Sequence, residues 1–163
     1  MKGEKFPDID FSRLILPPAE LKIVRRNGVF KVYDRLRKGY FCLTDEEFVR
    51  QVFVEWLINK LGYPCSIMSN EISIRLNDTV KRCDTVVFSP NGEPLVIVEY
   101  KSPKININQE VFNQIVKYNM VLKAKYLIVS NGYSNYCCRV DYQSHTISFL
   151  DSVPFYREIM EGL

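Results

Sequence analysis

The chain has 163 residues, 47% hydrophobic and 25% charged, with a net charge of +3. That length suits one domain with a proper core rather than two, and the composition excludes a disordered chain. No apolar run approaches the length of a membrane span. The opening MKGEKFPDID has no apolar signal-peptide region, so the expected location is the cytoplasm.

Residues 1–19 carry Pro7, Pro17 and Pro18 and are expected to form an arm or a peripheral covering. Residues 20–43 then predict a β-hairpin, ELKIVRR and VFKVYDRL around Asn27-Gly28. Between Lys22 and Lys38 seven basic residues, Lys22, Arg25, Arg26, Lys31, Arg35, Arg37 and Lys38, stand against one acid, Asp34. A polyanion such as DNA would suit it; a solvated hairpin face fits equally well.

Thr44 can cap a helix to about Leu61, with Asp45, Glu46 and Glu47 in the first turn, where the macrodipole favours acids. Gly62 and Pro64 end it. A strand is expected over 66–76, a hairpin over 82–101, a helix over about 108–123 and a buried strand at YLIVS, 126–130. Two strands near 135–141 and 145–150 follow, and Pro154 can open a short last helix. That order predicts an α/β or α+β domain, a mixed sheet flanked by helices. The expected division is an arm and hairpin over 1–43 and a core over 44–163.

Five cysteines without CxxC spacing argue for reduced thiols rather than a zinc or disulfide framework. Adjacent Cys137 and Cys138 cannot both face the core of one strand.

The hairpin RCDTVVFSPNGEPLVIVEYKSP raises the chemical question. If Asn91-Gly92 form a type I′ turn, Phe88 faces Leu95, Val86 faces Ile97 and Asp84 faces Glu99. Two carboxylates then lie roughly 4.5–5.5 Å apart at Cβ, with Lys101 on the same face as Glu99 and opposite Arg82. Opposed like charges are destabilising unless a cation intervenes. Mg²⁺, commonly held by one or two carboxylates with water and phosphate, would resolve the conflict; a surface ion-pair cluster is the plain alternative.

The pattern Asp84…Glu99-Tyr100-Lys101 resembles the PD-(D/E)xK nuclease superfamily. The wider string resembles the stand-alone nuclease domain at the N-terminus of type I restriction-enzyme R subunits: TDEEFVRQVFVEWLINKLGYP, KRCDTVVF, PLVIVEYKSP and QIVKYNMVLKAKYLIVSNG. The resemblance implies a restriction-endonuclease-like fold, Mg²⁺ (or Mn²⁺) and hydrolysis of phosphodiesters in DNA. It makes Asp84 and Glu99 metal-binding acids and Lys101 the catalytic lysine. A helical glutamate completes the site in many relatives; Glu46 is preferred, sharing a face with Val49, Phe53 and Leu57, and Glu47 is the substitute. Gln114 and Tyr118 match a Q-x-x-x-Y spacing, Gln114 beside the reacting phosphate and Tyr118 in support or in the core. Glu71 reads as structural and His145 as an ordinary polar residue.

No G-x-x-x-x-G-K-[ST] is present, so no ATP site is expected in this chain; a motor or methylase subunit is the implied partner. The competing expectations are a non-catalytic nucleic-acid-binding or complex subunit, and a nuclease acting on RNA or on ends.

Overall fold

A computed structural model of the chain describes residues 6–162, with the side chain of Leu76 outside the description. The first five residues of the expected arm therefore lie outside the described residues.

Alternation of apolar and polar residues builds the first three strands, β1 (Ile23–Arg26), β2 (Val29–Asp34) and β3 (Gly39–Cys42), into an antiparallel sheet ordered β1-β2-β3. The turn between β1 and β2 is Asn27-Gly28, both in the left-handed region (φ 51° and 83°), as its I′ chemistry requires. The expected hairpin is thus a three-stranded meander. GYFC was missed because four residues are too few for periodicity to register.

Thr44 caps α1 (Asp45–Asn59), its side chain accepting the Glu47 N–H, and Gly62 (φ 77°) follows the helix end. Strands β4 (Met68–Leu76), β5 (Thr79–Phe88) and β6 (Pro94–Tyr100) come next, then α2 (Gln109–Leu122). The Asn108 side chain caps α2 by accepting two backbone N–H groups. Strands β7 (Tyr126–Ser130), β8 (Asn135–Asp141) and β9 (Thr146–Leu150) and the short α3 (Tyr156–Glu161) complete the fold.

The second sheet runs β4-β5-β6-β7-β8-β9. Only β6 and β7 are parallel, because α2 carries the chain across between them; every other pair is antiparallel. The fold is the expected mixed sheet flanked by helices.

Both faces of its centre are covered, which explains why PLVIVEY reads as a continuous apolar run. Val87, Val96, Val98 and Tyr100 pack with Val49, Phe53 and Leu57 of α1. Val86, Ile97, Leu127 and Val129 pack with Val111 and Ile115 of α2. Each fully buried Val, Leu or Ile contributes about 1.5–3 kcal/mol. Adjacent Cys137 and Cys138 point to opposite faces, as alternation requires, and both are buried because each face has its own core. Ile9, Leu16 and Val32 join the α1 core, so the N-terminal segment closes over the helix rather than standing apart.

The β5–β6 hairpin reaches the expected register by an unexpected route. Its turn is Ser89–Gly92, closed by the Gly92 N–H on the Ser89 carbonyl at 2.9 Å, with only Gly92 at positive φ (82°). That arrangement pairs Phe88 with Pro94, not Leu95. A bulge then leaves Leu95 unpaired and restores Val87↔Val96, Val86↔Ile97 and Thr85↔Val98. Two one-residue departures cancel.

Candidate functional site

The β5–β6 ladder ends at Thr85↔Val98, one pair short of Asp84 and Glu99. Beyond it the strands are held differently. Glu99 and Tyr100 pair with Val129 and Ser130 of β7, while β5 continues against β4. Asp84 closes the gap with its side chain, Oδ2 accepting the Tyr100 N–H at 2.8 Å.

On the α2 side Glu99 is 3% exposed. Its Oε1 accepts Lys101 Nζ at 2.9 Å and Gln114 Nε2 at 2.6 Å. Lys101 Nζ also donates to Gln114 Oε1 at 3.1 Å, so Glu99, Lys101 and Gln114 form a closed triangle. Glu99 Oε2 is buried with no hydrogen-bond partner. Gln114 Nε2 reaches the Tyr118 hydroxyl at 3.0 Å, while Tyr118 is buried in the α2 core. The two readings of Tyr118 therefore coexist: ring in the core, hydroxyl on Gln114. A cleft of about 400 Å³ between β5 and α2, lined by Lys81, Gln114, Lys117 and Tyr118, opens beside them.

On the α1 side an arginine occupies the cluster. Arg50 gives one guanidinium nitrogen to Asp84 Oδ1 (3.0 Å) and Glu71 Oε1 (2.7 Å), and the other to Glu47 Oε2 (3.0 Å). Its Nε is buried and unpartnered. Glu47 also takes Arg37 and the Gln51 amide, which turns it away from Asp84 and Glu99. Glu46 faces the other way, within electrostatic reach of Asp84, Lys101 and Arg50.

A ring of hydrogen bonds ties these groups through the core. The Tyr100 hydroxyl donates to Thr85 (3.0 Å), Thr85 to Asn70 (2.6 Å) and Asn70 to Asp34 (2.8 Å). Arg37 bridges Asp34 to Glu47, and Arg50 returns the ring to Asp84.

The electrostatics follow from this crowding. Burial, reinforced by the Asp84 charge, lifts the Glu99 carboxyl above its ordinary range, against the pull of Lys101. Burial also lifts Asp84, with Arg50 and the Tyr100 N–H opposing and Glu71 adding to the rise. Glu46 is raised by burial and by Asp84. For Lys101, burial works downward, yet the neighbouring Glu99, with Glu46 and Asp84, holds its pKa above the usual value.

Among the described residues, no three His, Cys, Asp or Glu side chains stand ready as a cation cage. The donor chemistry nevertheless fits a hard divalent ion that keeps water and phosphate in its shell. The donors are all carboxylate oxygens, and Glu99 Oε2 is buried without a proton donor.

Of the basic residues in the meander, Arg37 is committed to Asp34 and Glu47 and stacks on Phe41, and Arg35 pairs with Glu55. Lys22, Arg25, Arg26 and Lys38 remain exposed, and Lys31 is half-buried. Of the seven candidate nucleic-acid-binding cations, Arg37 is therefore the one the structure turns inward, because Asp34 is buried and draws it.

Arg50 and Glu71 were not anticipated at the cluster. The sign of Arg50 in the sequence was a buried-face position, one turn from both Glu46 and Glu47, inside the apolar run FVRQVFVEWL. Glu71 falls opposite Asp84, between the pairs Asn70↔Thr85 and Ile72↔Cys83, at a φ of 58°. A non-glycine residue at positive φ inside a strand is strained, and no residue pattern announced it. His145 is exposed at the β8–β9 turn, away from the cluster.

A mixed sheet flanked by helices, with two acids and a lysine where two central strands part, is the arrangement on which comparison with known proteins bears. The sequence profile described as type I restriction enzyme R protein N terminus (HSDR_N) matches residues 45–154, and the chain belongs to that family. The endonuclease subunit of the type I restriction enzyme SsaAORF53P of Staphylococcus saprophyticus is 31% identical over 165 residues. That alignment takes in 93% of this chain and 16% of the relative, so the chain spans about a sixth of that protein's length. A solved fragment described as an HsdR subunit of a type I restriction enzyme from Vibrio vulnificus YJ016 is 17% identical, with a TM-score of 0.49. The similarity covers 72% of this chain and 24% of that one. Among the described residues no helix is long and apolar enough to cross a membrane.

Proposed function

We propose that the chain is a metal-dependent nuclease domain of the PD-(D/E)xK type that hydrolyses phosphodiester bonds in DNA. The observation that carries this reading is Glu99: one oxygen locked by Lys101 and Gln114, the other buried and without a partner. An ionised carboxylate oxygen left buried without a partner is costly, and a cation meeting it would offset that cost.

Asp84 and Glu99, with Glu46 beyond them, would hold Mg²⁺ or Mn²⁺, which when bound polarises a phosphate and acidifies water. The chain's own residues supply the rest. Lys101, kept protonated by Glu99, places a fixed positive charge where a phosphate gathers negative charge. Gln114 orients Lys101 and Glu99 together through its two amide atoms. Exposed cations of the meander and the lysines of the cleft between β5 and α2, Lys81 and Lys117, would follow the phosphate backbone. Type I R subunits suggest a motor and methylase assembly as the setting.

A second reading is favoured by Arg50, whose salt bridge neutralises Asp84 without any metal: a nucleic-acid-binding subunit that keeps the fold. Supercoiled plasmid incubated with Mg²⁺, Mn²⁺ or EDTA separates the two. Nicking that needs the metal and vanishes in Asp84→Asn is the expected result; salt-sensitive binding without nicking in any metal would establish the binding subunit instead.

The lifted carboxyls give a second expected outcome. Folded Glu99, Asp84 and Glu46 retain protons that the unfolded chain releases near pH 4. Stability of the metal-free chain therefore falls as pH rises from about 5 towards 8. Mg²⁺ binds the ionised carboxylates and should flatten that slope. Thermal melts across the range, with and without Mg²⁺, provide the check; identical slopes in both series would count against the metal site.

A further inference from the structure

We infer that the outer face of the β1–β3 meander is a stacking platform for single-stranded nucleic acid. The inference stands apart from the nuclease reading, since it concerns a surface away from the carboxylates.

The register decides which side chains share that face. Ile23 pairs with Val32 and Val32 with Phe41, and this side carries Val32 and Asp34 into the interior. The opposite side therefore shows Arg26, Lys31, Tyr33 and Tyr40, with Lys22 just before β1. Tyr33 and Tyr40 are direct cross-strand partners, their rings 5.3 Å apart at 64°. Lys22 Nζ lies 5.7 Å over the Tyr33 ring, and the Arg26 guanidinium lies 5.2 Å over the Tyr40 ring.

Three features select the occupant. The only acid in the three strands, Asp34, points inward and is buried, so the strands place no negative charge on the outer side. Among the described residues, neither Tyr33 nor Tyr40 belongs to the residues packed on either hydrophobic core. Aromatic rings alternate with cations, which suits a chain whose bases and phosphates are both accessible. A duplex keeps its bases stacked inside and presents phosphates to a flat sheet. Lysine and arginine alone would serve it, and the tyrosine pair would add little.

The face is also tied to the carboxylates from behind. Asp34, next to Tyr33 in β2, belongs to the hydrogen-bonded ring that ends on Asp84. A strand held by the tyrosines thus lies against an element mechanically joined to the candidate site.

The test is fluorescence anisotropy of a labelled oligothymidylate and of a hairpin duplex of equal charge, in EDTA so that cleavage cannot intrude. The native chain is expected to bind the single strand more tightly. With Lys22, Arg26 and Lys31 each neutralising a phosphate, the log–log salt slope is about −2. Tyr33→Ala/Tyr40→Ala should weaken single-strand binding by about tenfold or more, leaving duplex affinity unchanged, and Tyr33→Phe/Tyr40→Phe should bind as the native chain does. A melt verifies folding; if the double alanine variant is unfolded, Tyr40→Leu alone is compared on the two probes. Equal loss on both probes, no loss on the single strand, or a native chain that prefers the duplex would overturn the inference. Because no metal is present, these outcomes are independent of whether plasmid is nicked.

Discussion

Replacing Arg50 with Ala is expected to lower stability by about 3–5 kcal/mol, the cost of removing one partner from a buried ion pair. The Arg50 side chain is 4% exposed, and its guanidinium is the cation shared by Asp84, Glu71 and Glu47. Without it three carboxylates face one another across α1, β4 and β5, with Arg37, Arg82 and Lys101 the cations left nearby. Two features separate this cause from lost packing. The deficit should shrink on moving from about pH 7 to about pH 5, because carboxyls released from Arg50 take up protons more readily there. Millimolar Mg²⁺ should restore part of it at neutral pH by supplying another cation. Urea unfolding of Arg50→Ala and Arg50→Met under these conditions is the measurement. A loss below about 1 kcal/mol, the range of an exposed pair, would show that Arg50 does not organise the acids.

Lys101→Ala is expected to cut metal-dependent cleavage by about 10²–10³-fold, the usual cost of deleting one group that stabilises developing charge. Its effect on stability should be small, since the Lys101 side chain is partly exposed and bonded only to Glu99 and Gln114. Losing the ammonium also removes the group that opposes the rise in the Glu99 pKa, so the residual activity should peak at higher pH than native. Gln114→Ala removes hydrogen bonds but no charge, and about a tenfold loss is expected. Single-turnover nicking over a pH series compares the three chains. Native-rate cleavage by Lys101→Ala would remove the lysine from the chemistry. A Gln114→Ala loss as deep as that of Lys101→Ala would make the glutamine more than a positioning residue.

Together these variants divide the cluster into two halves that meet at Asp84. Arg50, Glu71 and Glu47 make a neutralised, load-carrying half on α1 and β4. Lys101, Glu99 and Gln114 make a half on β6 and α2 that retains an unpartnered oxygen. Asp84 belongs to both, one oxygen on Arg50 and the other on the Tyr100 backbone. A metal drawing on Asp84 would therefore compete with Arg50 for the same carboxylate.

Local sequence carried most of the architecture. The Thr44 cap, the Asn27-Gly28 turn, the period of α1 and the apolar run of β6 each predict the element found, because each rests on interactions within a few residues. The turn register together with two-residue alternation placed Asp84, Glu99 and Lys101 at one end of the sheet, and that placement survives because the Leu95 bulge offsets the longer turn. The partners of those residues depended on packing. Nothing within a few positions of Arg50 shows that β4 and β5 will present Glu71 and Asp84 to it, or that Asp34 will be buried and pull Arg37 out of the basic face. Long-range charge pairing is settled by which surfaces the two sheets and α1 bury together. A buried charge takes the nearest opposite charge because leaving it alone in a low-dielectric interior costs more than almost any local preference can offset.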